Sequence, residues 1–301
     1  MILVVGATGL VGTEVCRQLA AKGERVRGLV RETSDPGKVQ GLRVIGVEPV
    51  VGDVREAASL EAACDGVDSV ISTVSSMPFS YVAGVNDIEH VDRLGVTALI
   101  DAARAAGARQ FVYVSFSGNI DLPCPLRDAK RDVEAHLQAS GMRYTILRPS
   151  CFMEVWLGPA GGFDPLNATA TIYGSGDRTV SWVALADVAG FAVRSLDTPS
   201  AWNATIEVGG PEALTALEAV EVFERIGGRP FEVTHVAEDA LQEQRRTATD
   251  AMAASFATLM CCVAQGDPIP MGRTLREFPV AMTTIEDYAA RVLGAVPAGV
   301  A

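Results

Sequence analysis

The glycine-rich segment near the start of the chain constrains the fold more than any other feature. Residues 2–5, Ile-Leu-Val-Val, have the composition of a buried strand, and the sequence GATGLVG follows at residues 6–12, ahead of a helix-forming stretch. A glycine turn from a strand into a helix leaves unpaired backbone N–H groups beside the positive end of the helix dipole. Such a helix N-terminus suits a diphosphate, so the segment predicts a dinucleotide site. The alternative is a tight turn without a ligand.

The three glycines of this segment have the spacing G-x-x-G-x-x-G, which differs from the more familiar G-x-G-x-x-G fingerprint. We expect Gly6 to allow the tight turn and Gly9 to let the backbone approach the phosphates. Gly12 should let the helix pack closely on the strand.

Composition limits the classes of partner and compartment. The 301 residues are 49% apolar and 21% charged, as in ordinary globular proteins. A net charge of −12 and a pI near 4.8 argue against nucleic acid or an anionic membrane as a partner. The chain begins with a core strand and has no basic leader or membrane-length apolar run, which predicts a cytoplasmic protein. Six cysteines without C-x-x-C spacing indicate reduced thiols, and three scattered histidines make a zinc site improbable.

The order of predicted elements indicates the fold class. After the first strand, we predict strands at 25–30, 42–51, 68–75, 110–115 and 143–147, and helices at 14–19, 57–63, 86–106 and 127–139. This alternation predicts an α/β fold with a doubly wound parallel Rossmann sheet over residues 1–150. Residues 151–301 are predicted to form a smaller α/β substrate-binding lobe, interleaved with the first domain in a single compact unit. Its predicted strands are 169–173, 179–183 and 205–208, and its predicted helices 186–196, 214–225, 239–246 and 251–262.

The end of the second strand indicates which dinucleotide binds. NAD sites place an acid there, about 20 residues past the glycines, to bind the ribose 2′-hydroxyl. Here Arg31 lies nineteen positions after Gly12. A guanidinium binds a 2′-phosphate through a forked, charge-assisted contact, so NADP(H) is predicted over NAD(H). The alternative is an exposed arginine that opens a loop.

The third and fourth strands end in polar residues at the same edge of the predicted sheet. Asp53 follows the third strand, where it would accept a hydrogen bond from an adenine amine or cap the next helix. Thr73 and Ser75 end the fourth strand and would face the cofactor ribose. Ligands of open parallel sheets collect at this edge.

Several motifs together resemble one family. GATGLVG at the start, FVYVSFSG at the fifth strand, AKRDVEAHLQASGMRYTILRPSCFMEVWL after it and SWVALADVA later are similar to the NmrA-like, atypical branch of the short-chain dehydrogenases/reductases. The resemblance covers roughly the first two hundred residues. It implies NAD(P) binding and a carboxyl-terminal lobe over the nicotinamide. The branch contains NADPH-dependent reductases of quinones and enones, isoflavone reductases among them, and also dinucleotide sensors without catalytic activity.

Lys130 is the predicted catalytic residue. Typical short-chain enzymes carry Tyr-x-x-x-Lys, but Leu126 occupies the tyrosine position here. By resemblance to isoflavone reductases, Lys130 would anchor the nicotinamide ribose and deliver or relay the proton that accompanies hydride transfer. Lysine is rare in this chain, with three residues against 22 arginines, which favours a specific role. The alternative is a solvated lysine that pairs with Glu134 at i+4.

The resemblance also assigns the remaining site residues. Ser115, or Ser117 beside it, would polarise a substrate carbonyl or bind the nicotinamide side, and local turn bonds are the alternative. The predicted cofactor contacts are Gly6, Thr8, Gly9, Leu10, Val11, Gly12, Arg31, Asp53, Val54, Thr73, Val74, Ser75, Ser115, Lys130, Pro149, Cys151 and Phe152. The predicted lining of an apolar substrate pocket is Met77, Phe79, Tyr81, Phe116, Phe152, Met153 and Trp156. For each of these residues taken alone, the alternative is a position in the core.

The sequence therefore predicts an NADPH-dependent oxidoreductase that reduces a small apolar conjugated carbonyl or quinone-type compound, as a monomer or homodimer. The alternative is a non-catalytic NADP(H) sensor that binds a protein partner. The missing tyrosine favours this alternative, whereas Lys130 favours the enzyme.

Overall fold

The computed structural model describes residues 1–294. Its chain forms two compact units, each built from separate stretches of sequence. The first unit contains residues 1–116, 125–148 and 188–206, and the second contains residues 117–124, 149–187 and those from 207 onward. The units therefore differ from the predicted division at residue 150, because 117–124 belongs with the second unit and 188–206 with the first.

The elements are numbered in chain order. The strands are β1 (Ile2–Val5), β2 (Val26–Val30), β3 (Glu48–Val51), β4 (Ser69–Ser72), β5 (Gln110–Val114), β6 (Arg143–Pro149), β7 (Phe163–Asp164), β8 (Thr169–Tyr173), β9 (Thr179–Val180), β10 (Ala204–Val208), β11 (Leu214–Thr215) and β12 (Glu232–Val236). The α-helices are α1 (Leu10–Ala21), α2 (Pro36–Val44), α3 (Ala57–Cys64), α4 (Val96–Ala105), α5 (Pro125–Ala139), α6 (Met153–Trp156), α7 (Leu185–Ser195), α8 (Ala216–Gly227), α9 (Glu238–Thr247), α10 (Ala251–Gln265), α11 (Gly272–Glu277) and α12 (Ile285–Leu293).

The main sheet has the order β10-β6-β5-β4-β1-β2-β3, and strands β1 to β6 pair in parallel. Every residue of β1 and β5 is buried, which is the pattern of central strands covered on both faces. Sequence order reverses between β1 and β4, and open sheets of this kind bind ligands at such a point. The doubly wound Rossmann sheet predicted from the sequence is confirmed.

The second unit has two small sheets, β11-β9 and β12-β8-β7. Its core contains an aromatic cluster in which the rings of Phe163 and Phe223 lie 4.9 Å apart and Tyr288 meets Phe223 edge-on. Offset and edge-on contacts of this kind stabilise aromatic cores beyond their buried area.

Two strand predictions were wrong in part. Residues 42–47 are not strand, because α2 occupies residues 36–44 and β3 begins only at Glu48. Helix α2 begins at Pro36, and the Asp35 carboxylate caps it by accepting from the Lys38 backbone N–H at 2.8 Å. The strand predicted at 205–208 exists, but it joins the main sheet beside β6 rather than a sheet of the lobe.

The helix predicted over 86–106 is divided. A π-helical segment spans Ile88–Gly95, and α4 continues from Val96. A π-helix has more residues per turn than an α-helix, which changes the direction of the side chains along it. Within this segment Asp92 is fully buried.

Candidate functional site

The glycine turn forms a close-fitting cradle between β1 and α1. A Cβ atom added at residue 12 would lie 2.0 Å from the Gly6 carbonyl oxygen, and one at residue 6 would lie 2.8 Å from Thr73 Oγ1. Gly6 also has a φ of +85°, which favours glycine. No side chain within residues 1–294 caps the N-terminus of α1. The cradle therefore fits the diphosphate of a dinucleotide, with the helix N–H groups as donors.

Arg31 follows β2 at the same edge of the sheet. Its Nη1 donates to Asn86 Oδ1 at 3.0 Å, and its backbone N–H donates to Ser34 Oγ. The side chain is thus oriented by a neutral amide. No carboxylate in the described chain, residues 1–294, forms an ion pair with it.

Asp53 forms a forked contact with a neighbouring arginine. Its two carboxylate oxygens accept from Nε and Nη2 of Arg55 at 2.9 and 2.6 Å, so an adenine amine would compete with a guanidinium for them. The hydrogen bond from Arg55 is the main cause that lowers the pKa of Asp53. The helix-cap alternative is wrong, because α3 begins at Ala57 and Glu56 precedes it.

Lys130 is buried in α5, with 4% of its surface exposed. Its Nζ lies 3.4 Å from Asp92 Oδ1 and 5.2 Å from the centroid of the Tyr113 ring. The other oxygen of Asp92 accepts from the backbone N–H and the hydroxyl of Ser76 at 3.0 and 2.7 Å. The alternative of a solvated lysine paired with Glu134 is therefore wrong. An ion pair this deeply buried requires such added hydrogen bonds, since desolvation of both charges opposes it.

Glu134 instead joins three other side chains. Its carboxylate accepts from the Ser115 hydroxyl and from Arg131 Nη1, both at 2.6 Å, and pairs with Arg148 at 2.5 Å. Burial acts to raise the pKa of Glu134, but the hydrogen bonds from Arg148 and Ser115 and the nearby guanidinium charges outweigh it and lower this pKa.

Both predicted serines direct their hydroxyl hydrogens into the protein. Ser115 donates to Glu134, and Ser117, in the second unit, donates to Asp267 Oδ1 at 2.7 Å. In this arrangement the two hydroxyls have donated their hydrogens and would face a ligand as acceptors.

The Tyr113 hydroxyl has no hydrogen-bond partner within residues 1–294. Burial, and to a lesser degree the charges of Asp92 and Glu134, raises the pKa of Tyr113 well above its ordinary value. A higher pKa makes the phenol a weaker acid, so Tyr113 is a poor substitute for the tyrosine that Leu126 replaces.

The predicted substrate residues fall in both units. In the first, Met77 and Tyr81 are partly buried, Phe79 is 66% exposed and the ring of Phe116 lies under the Arg131 guanidinium. In the second, Met153 is a fully buried core residue, and Phe152 and Trp156 are partly buried.

The other predicted cofactor residues of the first unit differ in exposure and in hydrogen bonding. Leu10 is 48% exposed, Thr73 Oγ1 donates to the Val5 carbonyl and Ser75 Oγ accepts from the Met77 N–H. Thr8 and Val74 are partly buried, and Val11 and Val54 are buried. In the second unit Pro149 and Cys151 are buried, and burial raises the pKa of the Cys151 thiol well above its ordinary value.

Sequence reasoning missed several polar residues that the structure places in these clusters: Arg55, Ser76, Asn86, Asp92, Arg131 and Arg148. For Asp92 a signal was available. Ile88, Val91, Val96 and Leu99 form the apolar face of the predicted helix, and Asp92 lies at the i+4 position from Ile88, where an apolar residue is expected. A carboxylate at a core position indicates a buried partner.

Comparison with known proteins identifies the family. The model of the NmrA-like family matches residues 1–289. The chain belongs to the NmrA-like family. NAD(P)H azoreductase of Xenophilus azovorans is 33% identical over 232 residues, which cover 76% of this chain and 75% of that protein. Photosystem II assembly factor Ycf39 of Trieres chinensis is 31% identical over 238 residues, which cover 78% and 72%.

A solved structure of similar fold is the NADPH-dependent quinone oxidoreductase of Escherichia coli in complex with NADPH. The TM-score is 0.77 at 23% identity, and the match covers 97% of this chain and 99% of that one. The predicted family and fold are confirmed by these comparisons. The predicted class of enzyme and the predicted cofactor, NADP(H), agree with the reductase relatives.

Two further features are absent from residues 1–294. This part of the chain contains no group of three or more His, Cys, Asp or Glu residues that would hold a metal ion. It also contains no helix that is both long and apolar enough to span a membrane.

Substitution of Glu134 with Gln should destabilise the protein by about 3 kcal/mol near neutral pH, because two arginines lose a buried anion. The pKa of Glu134 is lower in the folded state than its ordinary value of 4.5. Its stabilising effect is therefore complete above this value and is lost as the pH falls through the folded pKa. Denaturant unfolding of both proteins over a range of pH measures this, with the exposed Glu221→Gln as control. Parallel stability curves between about pH 3 and 7 would contradict the prediction.

Proposed function

We propose that the protein is an NADPH-dependent reductase that transfers hydride to a small apolar conjugated carbonyl or quinone-type compound. The observation that supports this proposal most strongly is the buried Lys130, which Asp92 and Ser76 hold in the unit that carries the diphosphate cradle. A buried lysine with a single carboxylate partner keeps N–H donors for a ligand. The azoreductase relative and the quinone oxidoreductase of similar fold support the same class of reaction.

Each part of the site has a separate task. Bound NADPH supplies the hydride. The N–H groups of the cradle bind the diphosphate, Arg31 binds the 2′-phosphate and Lys130 binds the nicotinamide ribose. Lys130 Nζ also donates the proton that the reduced substrate takes up, directly or through a water molecule. Asp92 acts through Lys130, because its contacts with Nζ and Ser76 fix the position of the ammonium group.

The apolar residues predicted to contact the substrate complete this proposal. Phe79 is the most exposed of them, and the segment around it also exposes Val82 and Val85. A flat apolar compound would bind to such side chains through burial of its surface.

We further propose that the protein acts in the cytoplasm, as a monomer or homodimer.

A second candidate function is an NADP(H) sensor without catalysis. Leu126 is buried at the position where typical short-chain enzymes carry the tyrosine of Tyr-x-x-x-Lys, and the Ser115 hydroxyl donates to Glu134. Neither position 126 nor the Ser115 hydroxyl then supplies a proton, and catalysis would depend on Lys130 alone. The assembly-factor relative is consistent with a protein partner in place of a substrate.

Purified protein should oxidise NADPH in the presence of at least one member of a panel of quinones, conjugated enones, azo dyes and aromatic aldehydes. Loss of nicotinamide absorbance measures the reaction, with NADPH alone as the blank. No turnover with any compound, together with tight binding of NADP+, would favour the sensor.

Lys130→Ala should weaken NADPH binding and lower turnover by about a hundredfold, because both ribose contact and proton donation are lost. The change leaves Asp92 buried without its cation, so the double variant Lys130→Ala/Asp92→Asn, which removes both charges, serves as a second test. Lys22→Ala, at an exposed lysine that pairs with Asp197, is the control. Unchanged affinity and unchanged turnover in the double variant would exclude the proposed role.

Arg31→Asp should weaken NADP+ by about a hundredfold and NAD+ far less, because a carboxylate repels a 2′-phosphate but accepts from a 2′-hydroxyl. Isothermal titration with both cofactors tests this. Equal losses for the two cofactors would show that Arg31 does not bind the 2′-phosphate.

A further inference from the structure

We propose that Asn86 determines selectivity for the 2′-phosphate by orienting Arg31, and that it thereby couples NADP(H) binding to the order of residues 77–87. This segment, which we call the 77–87 segment, follows β4 and contains three of the proposed substrate residues. The inference rests on the proposed binding of NADP(H) through Arg31.

The first argument is the direction of the Asn86 side chain. Asn86 is 5% exposed, and its Nδ2 donates to the carbonyl oxygen and the hydroxyl of Ser80. Its backbone N–H and carbonyl exchange hydrogen bonds with Val82 at 2.8 and 2.9 Å. Because the amide nitrogen faces a carbonyl, the amide oxygen must face the Arg31 guanidinium. The opposite orientation would place two acceptors against each other and donors against donors.

The second argument is charge. Asn86 accepts a hydrogen bond from Nη1 of Arg31, and because the amide is neutral it leaves the positive charge of Arg31 in place. The nearby Asp53 carboxylate forms its forked contact with Arg55 instead. Among residues 1–294, Nε and Nη2 of Arg31 have no hydrogen-bond acceptor. Arg31 therefore presents a guanidinium that Asn86 holds through Nη1 and that forms no ion pair within residues 1–294, which suits a phosphate.

The third argument is the attachment of the segment. Arg55 Nη1 donates to the Val85 carbonyl at 2.7 Å, so two arginines at the ends of neighbouring strands hold adjacent residues, Val85 and Asn86. The rest of the segment is more exposed, with Phe79 at 66% and Val82 at 53%. Few buried contacts leave such a segment dependent on the hydrogen bonds at its base.

Binding of the 2′-phosphate and the order of the 77–87 segment are coupled, because both involve the Arg31–Asn86 contact. If Asn86 favours the Arg31 orientation that binds a 2′-phosphate, a bound 2′-phosphate must favour the Arg31–Asn86 contact by the same factor. NADP(H) would then stabilise the turn from Ser80 to Asn86, whereas NAD(H), which has no 2′-phosphate, would not. The cofactor that carries the phosphate thus prepares the segment that meets the substrate.

The first test measures affinity by titration with NADP+ and NAD+, and with 2′,5′-ADP and 5′-AMP as fragments. We expect Asn86→Ala to weaken the two 2′-phosphorylated ligands about tenfold and the other two less than about twofold, as for loss of a hydrogen bond to a charged group. Asn86→Asp should weaken them further, because its carboxylate pairs with Arg31. Asn167→Ala, the same substitution at an exposed position of the second unit, should change none of the four affinities.

Three outcomes are separable. If Arg31→Asp discriminates between the ligands but Asn86→Ala does not, the inference is overturned and the NADP(H) proposal stands. If neither variant discriminates, both the inference and the assignment of Arg31 fail. If both discriminate, the inference is supported.

The second test uses the unaltered protein and does not depend on the folding of a variant. The backbone N–H groups of Val82, Val85 and Asn86 are hydrogen-bonded within the turn, so their hydrogen exchange reports its opening. At saturation, NADP+ should slow this exchange several-fold more than NAD+. Equal protection by the two cofactors would overturn the coupling.

Discussion

The buried ion pair between Lys130 and Asp92 is the interaction on which the proposed active site depends. Neither charge is stable in a protein interior alone, and Ser76 provides the two hydrogen bonds that satisfy the second oxygen of Asp92. The pair and its hydrogen bonds join α5, the π-helical segment and the loop after β4. Any change that moves one of these elements therefore moves the ammonium group. Asp92 itself lies in the π-helical segment, where the backbone turn is wider than in an α-helix.

Sequence reasoning was most successful where a residue type is required by backbone geometry. Gly6 and Gly12 were predicted from spacing alone, and the structure leaves no room for a Cβ atom at either position. It failed at residues 42–47 and 205–208. Residues 42–47 have the apolar character of a strand, but the Asp35-Pro36 pair is a local signal for a helix start, and the chain is helical over 36–44. The strand at 205–208 has no local signal that assigns it to one sheet rather than another.

The same limit applies to the site. Arg31 and Lys130 were predicted as site residues because their positions relative to the glycines and to Leu126 can be read from the sequence. Their partners were not, since Asn86 is 55 residues from Arg31 and Asp92 is 38 residues from Lys130. Local spacing offered Glu134 as the partner of Lys130, but the guanidinium groups of Arg131 and Arg148 bind that carboxylate. Partners distant in sequence depend on the topology of the sheet, because the carboxyl ends of its parallel strands β2, β4 and β5 all lie on one side of it.

The scarcity of lysine limits the positions at which the protein reacts with reagents for amino groups. The chain has three lysine side chains, of which Lys22 and Lys38 are accessible to solvent and Lys130 is enclosed. Reagents that acylate amines react with accessible, unprotonated amino groups. They would therefore label the two surface lysines while the ammonium group beside Asp92 is protected. Fluorophores or surface attachment introduced in this way would leave the proposed proton donor chemically intact.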